Sequence, residues 1–168
     1  MTAEVGARRG SGRDETEEER LDRNLAELLG ELRVALPGVQ VLFAFLLVVP
    51  FNTRFRELGP GQERLYLATL LCAGMASSLL IAPTAYHRLT FRLQDKERLV
   101  VSANRLAIAG LAFLALSMTG AVALVIDFVF GGAVAAAGAA IVGLTFAVLW
   151  YAWPLKRRTE RTRARGRG

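Results

Sequence analysis

Few residues in this chain have the type and setting to do chemistry, and each lies beside or within a long apolar stretch. Asp127 follows a run of 21 uncharged residues, 106–126. A carboxylate inside a membrane can carry a proton or bind a cation. Asp127 lies at the outer end of its apolar run, however, beside a turn, and reads first as a turn or cap residue. Gln40 is the most polar residue well inside an apolar run. It cannot titrate, but it could hydrogen-bond a neighbouring helix, a contact worth about 0.6–2 kcal/mol, or touch a substrate. His87 and Arg88 lie on one side of a charged connection, Asn104 and Arg105 on the other. A hairpin would gather these four, with Glu31 and Arg33 nearby. The cluster would then be a pH-sensitive site, since a histidine changes charge near neutrality, or a belt of polar residues meeting lipid headgroups. Cys72 is alone in an apolar run and reads as a small packing residue. None of these supplies a nucleophile with its base, a metal-ligand set or a cofactor fingerprint. The chain is therefore not expected to be an enzyme or to hold a cofactor.

What must position these residues is a membrane fold. The chain has 168 residues, 53% hydrophobic, with 21 Lys and Arg against 15 Asp and Glu. Charge and apolar residues occur in alternating blocks instead of being interleaved at helical or strand period, which is the pattern of spans and loops. Residues 1–16 are rich in Gly, Arg and acids and are predicted to be disordered. From Thr16 the pattern changes. Leu21, Leu25, Leu28, Leu29, Leu32 and Leu36 recur at steps of three and four, one stripe of an amphipathic helix. Thr16 and Glu19 have the spacing of a capping box. Spans follow at 34–51, 65–86, 106–126 and 133–153. Pro37 and Gly38 mark the junction of the amphipathic helix with the first span, read as a kinked, nearly continuous helix. Pro83 should kink the second span. The loop 87–105 reads as two helical extensions joined at Gln94-Asp95-Lys96-Glu97. Pro154 is expected to stop the fourth span, leaving 154–168 as a disordered basic tail. No secretory signal is expected, because residues 1–33 mix Arg with acids.

The short-loop Lys and Arg set the orientation. The N-terminal segment, the 87–105 loop and the C-terminal tail carry 18 of them, and the loop after the first span carries three. Both termini are expected to be cytoplasmic, in a bacterial inner membrane. The tail, with seven Lys and Arg against Glu160, has no interleaved aromatics or folded module that would favour nucleic acid. It suits anionic lipid headgroups. Small residues repeat every four in the fourth span (Gly132, Ala136, Ala140; Ala135, Ala139, Gly143, Ala147) and allow close helix approach. With Gly110, Ser117 and Ala121 opposite, spans three and four should be the tightest pair. The leucines of helix 17–36 should pack on the 87–105 hairpin as a three-helix cap, with Glu27 or Glu31 near Arg88, Arg98 or Arg105.

The segments ERLDRNLAELLGELRVALPGVQVLFAFLLVVPF (19–51), LLIAPTAYHRLTFR (79–92) and ANRLAIAGLAFLAL (103–116) resemble bacterial four-span membrane proteins of unknown function, some labelled sodium:proton antiporters. The resemblance covers roughly 17–153. It implies a four-span fold and brings no established site residues. The expectation is an all-α membrane protein, with a cytoplasmic amphipathic helix before four spans. It would be a structural or accessory component acting through helix packing or partner binding, with homo-oligomerisation open. The alternative is a small oligomeric secondary transporter using Gln40, Pro83 and the His87 cluster. No span places an Asp or Glu at its midplane.

Overall fold

The first helix begins on a cap the sequence supplies. The Thr16 hydroxyl accepts the Glu19 N–H at 3.3 Å, and the Glu19 carboxylate accepts the Thr16 N–H at 2.9 Å. Two donors left over at the helix start are satisfied reciprocally. The computed structural model describes residues 16–90 and 96–165, and its elements are all helical. Helix α1 (Glu17–Val48) runs unbroken through Pro37. Two 3-10 turns (Val49–Phe51 and Thr53–Glu57) lead to α2 (Pro60–Thr90), which contains Pro83. Then come α3 (Lys96–Phe130), α4 (Gly132–Phe146), a π-helical segment (Ala147–Ala152) and α5 (Trp153–Arg165). Four stretches are long and apolar enough to span a membrane: Glu19–Phe51, Pro60–Tyr86, Leu99–Phe130 and Gly132–Arg157.

The amphipathic helix and the first span are thus one element. Pro37 lies on the exposed face of α1, so the carbonyl of Arg33 that it leaves without a donor is not trapped in the core. The two extensions read from 87–105 are also helical, since α2 reaches Thr90 and α3 starts at Lys96. Residues 91–95 of the charged turn, like the segment 1–15, lie outside the described residues.

Pro154 does not stop the fourth helix as expected, and the basic tail continues it to Arg165. The reason is local. Across Ala147–Ala152 the helix widens to π spacing, and the Trp153 N–H bonds the Val148 carbonyl. Pro154 then occupies the first turn of a new α segment, where its missing N–H costs least.

Burial follows a seven-residue rule. On α1 the buried residues are Leu25, Leu32, Val39 and Leu46. On α2, Tyr66, Thr69, Ala73, Ala76, Leu80 and Pro83 alternate steps of three and four. Such a 3.5-residue period is the seam of left-handed helix packing. The main core joins Leu32 and Val39 of α1, Ala76 and Leu80 of α2, and Ala107 and Leu114 of α3. Leu28 and Leu36 of the leucine stripe pack against it, so protein covers the stripe. The charge pairing expected for that region includes Arg98, whose side chain lies outside the described ones. Glu27 lies 3.7 Å from Arg23 of its own helix, the i,i+4 neighbour, and Glu31 is exposed.

The tightest pair is α2 with α3, not α3 with α4. A Cβ added at Gly110 would sit 2.7 Å from Leu80 Cγ and Cδ2, and one at Gly120 would collide with Thr69 Oγ1. Small residues on α2, Ala73 and Ala76, are fully buried. The fourth helix touches only α3 among the other spans, and just 6% of its apolar window is buried. The small-residue period on α4 made both of its faces look equally fit for packing. Only one, with Ala135, Gly138, Ala139 and Gly143, turns to α3, whereas Ala133, Ala136, Ala137 and Ala140 are exposed.

Candidate functional site

The polar residues separate into three places. At the end where α2 finishes and α3 begins, Arg88, Asn104 and Arg105 stand exposed on the two helical extensions. The His87 side chain lies outside the described ones. The extensions bring the four positions to one end of the molecule, but Arg88, Asn104 and Arg105 face outward and do not close around a cavity. A belt exposed in this way is placed to meet headgroups and water.

Gln40 is exposed on the outward face of α1. The buried face of that helix at the same level belongs to Val39, which has no exposed surface. Gln40 therefore does not join α1 to a neighbouring helix of the same chain, nor does it line an internal path.

Asp127 lies in the last turn of α3, because that helix continues to Phe130. The turn into α4 is a single glycine, Gly131, at φ +88°, a left-handed conformation that glycine adopts without strain. The Asp127 carboxylate accepts the Gln62 side-chain N–H at 2.8 Å, and the Gln62 carbonyl oxygen accepts the Gly59 N–H at 3.0 Å. Gln62 is the third residue of α2, so it closes the start of that helix and clips it to the end of α3. Asp127 thus works as a latch at the rim of the molecule. It is half-buried, with a Cβ at Gly132 meeting its Oδ1 at 3.4 Å.

Inside the spans, several hydroxyls are bonded to backbone, whereas the buried Ser77 hydroxyl of α2 has no hydrogen-bond partner among the described residues. The buried Ser117 hydroxyl donates to the Thr69 carbonyl at 3.0 Å, a bond between α3 and α2. Thr69 donates to Leu65 one turn back at 2.7 Å. Tyr66 donates to the Leu46 carbonyl at 2.9 Å, tying α2 to α1, and Tyr151 to the Ile108 carbonyl at 3.0 Å, tying the π segment to α3. Cys72 is a partly buried free thiol on α2. No group of three or more His, Cys, Asp or Glu gathers among the described residues. Sequence reasoning passed over these hydroxyls. Their signal was available, since Tyr66, Thr69 and Ser117 all fall on the positions that the 3.5-residue period buries.

A groove of about 580 Å³ lies between the last turns of α1 and α3, beside the two 3-10 turns. Leu46, Tyr66, Ala121 and Leu124 are among its lining residues. Arg54 stands at its rim over the Phe128 ring, 5.9 Å from the centroid. The Asn52 side chain accepts the Arg54 N–H at 3.0 Å and fixes the turn on which Arg54 stands. An aromatic edge contact between Phe55 and Tyr66, centroids 5.1 Å apart, closes the loop side.

Residues 14–154 match a family described as a family of unknown function (DUF6328). No curated protein matches the chain. No solved structure does either.

Proposed function

The chain belongs to that family of unknown function, and we propose for it a structural or accessory role, as a multi-pass protein that acts by packing its spans against a membrane partner. The observation that carries this reading is the one-sided seating of α4, which rests on α3 and leaves Ala133, Ala136, Ala137 and Ala140 exposed. In lipid, helices associate through close packing, which small residues permit. A second copy of the chain or the span of another protein could approach there. The filled interior supports the same reading. Leu80, Val39, Pro83 and Ser117 are fully buried, and the Ser117 hydroxyl is committed to the Thr69 carbonyl.

In this reading the membrane is a bacterial inner membrane, both termini are cytoplasmic, and the chain is not an enzyme. The basic α5 lies toward anionic headgroups, with Arg157 over the Trp153 ring at 5.5 Å. Topology is tested with Gly12→Cys, Asp95→Cys and Thr162→Cys, which should react only with reagent on the cytoplasmic side. Leu58→Cys should react only from the other side. Labelling of 58 and 95 from the same side would remove the arrangement.

The role itself is tested with Ala137→Cys. In native membranes it should form an intermolecular crosslink that Val101→Cys, on α3, does not. In proteoliposomes the full chain should pass no more cation than empty vesicles under a proton gradient. Gradient-driven flux would replace this reading with a small oligomeric secondary transporter of the antiporter kind.

A further inference from the structure

The groove beside Arg54 has the dimensions and polarity of a lipid site. Its α3 wall, from Ala121 to Val129, is about 12 Å long at 1.5 Å per residue. One leaflet of hydrocarbon is about 15 Å deep. The groove starts at the 3-10 turns, where the polar residues Asn52 and Arg54 begin, and runs inward along apolar side chains. Phe45, Val48 and Val125 on its margins are exposed, so it opens sideways, toward where acyl chains would lie. The hydroxyl of Tyr66, a lining residue, is already spent on the Leu46 carbonyl.

We propose that this groove holds one acyl chain of an anionic phospholipid, with the lipid phosphate on Arg54. Charge decides the headgroup. A guanidinium lying over an aromatic ring keeps its edge N–H groups for oxygen acceptors, and arginine binds phosphate with two parallel hydrogen bonds. Asn52 uses its carbonyl oxygen on the Arg54 N–H and leaves its amide NH₂ to donate. The neighbouring acid does not compete. Asp127 is bound to Gln62, and neither it nor Glu57 or Glu63 lines the groove. Wall composition decides against a helix as occupant. Aromatic walls formed by Phe45, Phe51, Phe55 and Phe128 differ from the small-residue surfaces that dock helices. This site is separate from the exposed face of α4 and stands without the role proposed for that face.

The test is native mass spectrometry of the full chain in mild detergent, with dioleoyl phosphatidylglycerol or dioleoyl phosphatidylcholine added. One phosphatidylglycerol should be retained per chain, about tenfold more tightly than phosphatidylcholine, as a charge-assisted contact allows. Arg54→Gln should erase the preference while keeping the acyl-chain contribution, and Arg56→Gln, on the same turn but outside the groove, should change nothing. Ala121→Trp should fill the groove and abolish retention of both lipids. Val129→Trp, at the exposed rim, does the same where the first variant fails to fold. Equal retention of the two lipids by the native chain would overturn the proposal. So would retention undiminished by the tryptophan that folds, or ready disulfide formation between two copies bearing Val125→Cys.

Discussion

Helix α3 packs on α2 along one face and on α4 along another, and the two contacts are built differently. Toward α2 the side chains of Leu80 and Thr69 lie so close to Gly110 and Gly120 that neither glycine has room for a methyl group, and a buried hydroxyl crosses from Ser117 to the Thr69 carbonyl. Toward α4, a Cβ at Gly143 would lie 3.6 Å from Thr119 Cγ2, an ordinary contact, and one at Gly138 would meet only the flexible end of Ile126. Both sides are rich in small residues. The difference teaches that small residues permit close approach without requiring it. What fixes the α2–α3 contact is the 3.5-residue period on α2, which keeps one face turned inward over nearly five turns.

The comparison can be broken most directly at Gly120. Gly120→Val should cost about 3 kcal/mol, the upper part of the usual range for overpacking, because the neighbour it meets, Thr69, is only 2% exposed and cannot withdraw. Thermal unfolding in detergent reads this loss. A variant as stable as the native chain would show that the helices separate freely there. Ser117→Ala comes next. It removes one interhelical hydrogen bond and leaves the Thr69 carbonyl with its own helix partner, so about 0.6–2 kcal/mol should be lost. The same denaturation measurement checks it, and an unchanged midpoint would assign the contact to packing alone. The smallest effect belongs to α4. Gly143→Ala should shift stability by less than about 0.5 kcal/mol, whereas Gly143→Leu should exceed Val148→Leu, since only the former faces α3. Equal effects of the two leucines would show that α4 has no preferred face.

Most of the scaffold was legible in the residues. Blocks of charge marked the ends of four spans, and the Thr16–Glu19 spacing marked the start of α1. The helical extensions on both sides of 91–95 were readable from the charged turn Gln94-Asp95-Lys96-Glu97 that divides the loop 87–105. Three features were not. The pairing of helices depends on which small face turns inward, and a period of four on α4 offers two such faces with nothing to choose between them. The outward turn of Gln40 follows from the seven-residue spacing of Leu25, Leu32, Val39 and Leu46, which only becomes visible when the amphipathic helix and the first span are read as one. The continuation past Pro154 depends on a widened turn upstream that no residue type announces. The candidate sites fared less well than the scaffold for the same reason. A polar residue in an apolar run has no meaning until its face is known, and Asp127 acquired its role from Gln62, 65 residues away in the chain.

The widened turn at Ala147–Ala152 also sets an angular phase. Each residue advances an α-helix by about 100°, and a π turn accommodates one residue more than an α turn. Everything after it is therefore rotated by about that angle relative to an uninterrupted helix. Tyr151 keeps its bond to the Ile108 carbonyl of α3, while Trp153 and Arg157 come to lie together on an exposed side. The segment acts as a fixed dial between the span and its basic extension. Removing one residue within it would re-index the extension without touching a single charge, and would turn the same cations toward a different quarter of their surroundings.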